Sequence, residues 1–174
     1  MSVAKKYKLN IELKNIKYSA FASQETYCFE ATIYLEGVKV GTASNAGHGG
    51  PTEVSPLSLY RQLDEHAKTL PTIESQFIEG GLPVDPEIII GELMTEHLAI
   101  KNLKKDLKNK IVFTANKEAG VFTVKAKGTQ LEAAAENEVI AYVKKHFDAN
   151  EVLNFMPFDD AFKIYAEKTG LELN

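Results

Sequence analysis

The chain has 174 residues, with 44% apolar and 25% charged side chains and a formal net charge of −4, an ordinary globular composition that excludes disordered and fibrous classes. Of its 20 basic residues only Arg61 is an arginine, so the usual bidentate reader of phosphates and base edges is nearly missing, while the acidity falls far short of a nucleic-acid mimic. The length is that of one domain able to bury a sizeable core without disulfides or metal.

The start, MSVAKKYKLN, has no apolar run after its lysines, and no stretch reaches the length of a membrane span. A cytoplasmic protein is expected, and the lone Cys28 agrees with a reducing compartment. Residues 7–20 alternate with Leu9, Ile11 and Leu13 on one face and then change phase to Ile16 and Tyr18, which calls for a bulge near Lys14–Asn15. In YCFEATIYLEGVKVGTA, residues Tyr27, Phe29, Ala31, Ile33 and Leu35 share a face, and Gly37 supplies the turn into a strand holding Val38 and Val40.

The stretch GTASNAGHGGPTEV follows, read as a loop, with Ser55 and Pro56 as cap and first residue of a helix over 56–70. A helical turn and a loop fill 71–85, and Asp85–Pro86 open a helix over 86–108 whose glutamates precede its lysines. A hairpin pairs 111–115 with 121–127. Thr129 and Glu132 form a capping box for a helix to Phe147, and FDDAFKIYAEKT makes a last helix. The expected fold is α+β: an N-terminal antiparallel sheet packed by helices, then a β-hairpin with two helices, in a single domain 1–174 that could be subdivided at 108/109.

Three segments, YCFEATIYLEGVKVGTASNAGHGG, IKNLKKDLKNKIVFT and EVLNFMPFDDAFKIY, together resemble a family of uncharacterised open reading frames of bacteriophage and bacterial genomes. The resemblance spans about two thirds of the chain and implies a microbial, cytosolic setting, with no catalytic residues to carry over. A phage setting favours a small accessory protein that binds a host protein or a signal molecule.

Asn45, Gly47, His48, Gly49 and Gly50 are the candidate ligand-binding residues, because closely spaced glycines let backbone amides approach an anion and a following helix would add its positive end. The spacing is not that of a P-loop or a dinucleotide fingerprint. The plain alternative is a turn from sheet to helix, with Asn45 bonding locally. No metal or cofactor is expected, since His48, His66, His97 and His146 are scattered and Leu93 stands where the first histidine of an inverted zinc motif belongs.

Glu96 falls within the apolar stripe of its helix, and the plainer expectation is that it reaches solvent. Asp159 and Asp160 serve as first-turn acids of the last helix. Lys101, Lys104, Lys105 and Lys108 form a solvated strip, without the interleaved aromatics of a nucleic-acid surface. The function expected is that of an accessory binding protein that contacts a host protein or a small anionic, nucleotide-like ligand through loop 44–53. The alternatives are a phosphoester-processing enzyme using His48 with Glu53 or Glu96, and weak nucleic-acid binding through the 101–110 lysines.

Overall fold

In a computed structural model, which describes residues 2–125 and 136–172, the chain divides into two compact units. One is Ser2–Thr95 and the other runs from Glu96 to the end of the described residues, so the boundary lies inside the long helix. The Thr129–Glu132 capping box lies outside the described residues.

The first unit opens with a four-residue helix α1 (Val3–Lys6) and a meander of β1 (Ile11–Ser19), β2 (Cys28–Leu35), β3 (Val38–Ala46) and β4 (Glu53–Ser55), antiparallel throughout. The expected phase break is present: the β1–β2 register shifts between Lys14 and Lys17, and Asn15 takes a φ of +53°. The bulge turns Tyr18 into line with Phe29, as Leu13 is with Ile33, so one face stays apolar along the whole strand. Glu36 and Gly37, both at positive φ, make the two-residue turn between β2 and β3, the geometry that matches strand twist.

The buried face of this sheet carries Phe29, Ala31, Ile33 and Ala43. Helix α2 (Leu57–Ala67) buries Leu59, Leu63 and Ala67, and its first turn packs where Gly41 leaves room, since a Cβ there would meet Leu59 and the Ser55 carbonyl. Ser55 closes β4 instead of capping α2, which takes Pro56 as its N-cap. Residues 71–85 hold a loop closed by an Ile73–Leu82 bridge in place of the expected helical turn.

Helix α3 (Pro86–Asn109) begins where Asp85 Oδ1 accepts the Ile88 N–H, at 2.8 Å. Its first half belongs to the first unit and buries Ile89, Ile90, Leu93 and Met94. Lys6 is tied to Glu92 at 3.0 Å within the same unit.

In the second unit β5 (Lys110–Ala115) lies between β6 (Val121–Lys125) and β7 (Ala149–Val152), antiparallel to both. Being central, β5 is buried on both faces and reads as the unbroken apolar run IVF. Ile111 and Phe113 pack with Val139 and Val143 of α4 (Glu136–Phe147), and Val112 packs with Leu103, Leu153, Ala161 and Phe162. A 3₁₀ turn, Leu153–Phe155, leads to α5 (Phe158–Thr169), with Asp159 and Asp160 in its first turn and Gly170 at φ +74° as its left-handed cap.

Besides β4, the sequence reading lacks β7, four residues long and entered through Asp148 at φ +53°. Asn154 follows it and locks the corner between α3 and β5. Its Nδ2 donates to the Leu107 and Lys110 carbonyls, at 3.1 and 2.8 Å, and its Oδ1 accepts the Val112 N–H, at 2.7 Å.

Candidate functional site

The glycine-bearing stretch is chiefly the end of β3, a turn over 47–52, and β4. Asn45 is therefore a strand residue. It follows Ala43 on the inner face, opposite Phe29, and is only 7% exposed. A carboxamide so deeply placed needs partners for two donors and two acceptors, and it has them. Oδ1 accepts the Thr26 hydroxyl at 2.7 Å and the Gly47 N–H at 2.8 Å. Nδ2 donates to the Gly50 carbonyl at 2.9 Å and to Thr52 Oγ1 at 3.3 Å.

Gly47 is buried as well, at φ +89°. A side chain there would run into the Ala22 carbonyl and the Cys28 Cβ, and its own carbonyl accepts the N–H groups of Gln24 and Glu25, at 2.9 and 3.0 Å. The β1–β2 loop, residues 20–27, is thereby fastened to the β3–β4 turn by backbone bonds that only glycine permits. Gly49, at φ +81°, donates its N–H to Thr26 Oγ1 at 3.4 Å, and Thr52 donates its N–H to Glu87 Oε1 of α3 at 3.0 Å.

Of the five candidate residues, Asn45 and Gly47 thus hold the two loops together, whereas His48, Gly49 and Gly50 are exposed. His48 Nδ1 sits 3.2 Å from Gln24 Oε1. The expected helix terminus does not follow the glycines in the chain, because β4 intervenes before α2.

Beside the clamped loops lies a cleft of about 480 Å³, whose lining includes Tyr18, Tyr27 and Phe29 together with Glu25, Glu87 and Asn45. A larger cleft of about 780 Å³ shares Tyr18, Phe29 and Asn45 and continues to Lys17, Glu30 and Glu53. Among the described residues no lysine, arginine or histidine lines the smaller cleft, and Lys17 of the larger is paired with Glu30 at 3.2 Å. That charge suits an anion poorly.

Tyr18, Glu25, Thr26, Tyr27 and Glu87 escaped the sequence reading because they come from separate stretches of chain. The one signal that bore on them was the phase break in β1, which aligns Tyr18 with Phe29.

The remaining histidines do not converge. His66 lies against the Tyr7 carbonyl, with Nε2 at 2.8 Å, and among the described residues no group of three or more His, Cys, Asp or Glu side chains could hold a metal ion. Glu96 is buried, contrary to the expectation that it would reach solvent: the apolar face of α3 is broad enough, with Leu93 and Met94 buried just before it, to carry position 96 inward.

In the second unit Lys101, Lys104, Lys105 and Lys108 are exposed, as expected, and with His97 and Ile100 they line a groove of about 450 Å³. Burial, and then the Lys101 charge, hold the His97 imidazole below its ordinary value of 6.5. Among the described residues no helix is long and apolar enough to cross a membrane. Compared with family models, curated proteins and solved structures, the chain matches none.

Proposed function

We propose that the chain is a small, non-enzymatic accessory binding protein of a phage or bacterium that contacts a host protein through the β3–β4 turn and the β1–β2 loop fastened to it. The observation that carries this reading is Phe21, 98% exposed in a loop whose backbone is pinned to Gly47. A bare aromatic ring on an irregular segment held by a rigid sheet is the usual form of a protein-binding anchor, since its ordering cost is already met. His48, Gly49 and Gly50 stand exposed on the same fastened pair of loops.

The host-protein form of the reading is favoured over a small anionic ligand, because Glu25 and Glu87 are the charged residues of the adjoining cleft. Recovery of the protein from its native host lysate, followed by native mass spectrometry, tests it. A partner retained by the wild type and lost with Phe21→Ser supports the reading. A partner held equally by both forms places the interface elsewhere.

A second reading, weak binding of a polyanion such as nucleic acid, is favoured by the groove lined by Lys101, Lys104, Lys105 and Lys108. Its affinity for heparin or duplex DNA should fall steeply with salt, and a fourfold Lys→Gln variant should reduce it about tenfold or more at low salt. Binding that ignores salt removes this reading.

A further inference from the structure

The smaller cleft of the first unit has a composition that the host-protein reading does not use. We infer that it is a binding site for an alkylammonium group, held by aromatic rings and two carboxylates. The rings of Tyr18 and Tyr27 meet edge to face, with centroids 6.0 Å apart, and the buried Phe29 lies in the same lining. Aromatic faces of this kind attract a cation through the ring quadrupole and shelter its methylenes, which a hydrated metal ion would not need.

Glu25 and Glu87 line the cleft with them. Glu87 gives Oε1 to the Thr52 amide at 3.0 Å, and neither carboxylate forms an ion pair among the described residues. Two carboxylates beside aromatic rings, with no cationic side chain among the described residues of the lining, call for a positive charge carried on an apolar stem. A lysine side chain and a free aliphatic amine both present that chemistry.

The inference deepens the binding-protein reading and rests on it for its biological sense, but a small probe separates their fates. The full chain is titrated with n-butylammonium chloride by ¹H–¹⁵N NMR, with n-butanol at matched ionic strength as the neutral control. Saturable shifts at Thr26, Tyr27 and Gly91 with the amine and not the alcohol are expected. Glu25→Gln and Glu87→Gln should each weaken binding by about three- to tenfold. The first alters an exposed side chain, and the second keeps an oxygen for the Thr52 amide, so both variants should remain folded.

Equal shifts with butanol, no shifts with the amine, or binding untouched in both variants would each overturn the site while leaving the Phe21-dependent partner standing. Amine binding without a Phe21-dependent partner would overturn the host-protein reading alone. A blocked lysine, Nα-acetyl-lysine N-methylamide, identifies the source. Binding as tight as that of butylammonium assigns a partner's lysine, and exclusion assigns a free amine.

Discussion

The two units build their recesses by different means. In Ser2–Thr95 the cleft draws on β1, the loop after it, β2, β3 and the first turns of α3, and each contributor is held by a bond to another: Thr26 to Asn45, Gly47 to Gln24 and Glu25, Thr52 to Glu87. In the second unit the groove is lined by one helix, α3, with lysines at 101, 104, 105 and 108. Charge follows the same division. Residues 2–95 carry eight basic and twelve acidic side chains and so hold the whole net charge of −4, while residues 96–174 carry twelve of each. A cleft assembled across strands can be shaped and desolvated, which is what selective recognition of a small group needs; a strip on one helix offers a graded, salt-sensitive field.

The largest expected break in this comparison is Gly47→Ala. A side chain at φ +89°, facing the Ala22 carbonyl, should cost about 3 kcal/mol. Gly50→Ala, three positions further along the turn with open space around the new methyl, should stay within about 0.5 kcal/mol. Hydrogen exchange on both variants checks the pair: protection should fall across β1–β3 in the first variant alone, and β5 should keep its own. Equal losses in the two would mean that the fastening at Gly47 is not what holds the loops.

Asn45→Ala comes next. It strips partners from the Thr26 hydroxyl, the Gly47 amide and the Gly50 carbonyl together, and should cost about 2 kcal/mol. Chemical denaturation measures it, and a change below about 0.5 kcal/mol would show that water replaces the carboxamide.

The smallest effect concerns the other unit. His97 is held below 6.5 by burial first and Lys101 second, so its neutral form is favoured in the folded protein. The unfolded chain then binds the proton more readily. The contribution of His97 to stability is complete above 6.5 and declines as the pH falls through the folded value. Lys101→Gln should move the imidazole titration upward in NMR, and bound heparin should move it the same way by neutralising the strip. A titration indifferent to both would detach His97 from the lysine field.

How much of this was legible in the chain depended on where each feature's partners lie. The bulge after Lys14, the turn at Gly37, the start of α3 and the whole of α5 were all readable, because alternation, turn chemistry and first-turn acids act over a few neighbouring residues. The strand β7 was not, since four residues carry almost no periodicity and ANEV becomes a strand only by pairing with β5. β4 escaped for the same reason, and Ser55 was read as a helix cap when its place is set by pairing with Thr42.

By itself the sequence determined an α+β chain, the order of its main elements, and the lysine strip of α3, which one helical period is enough to draw. It also marked the stretch around Asn45 and Gly47 as unusual. Only the tertiary structure decided what that stretch does. Asn45 and Gly47 face inward and hold two loops together, and the cleft beside them is lined by two tyrosines and two glutamates among others. The physical reason is that the character of a cleft is the sum of side chains that sheet register brings together, and register is fixed by burying one face of the sheet against helices far along the chain.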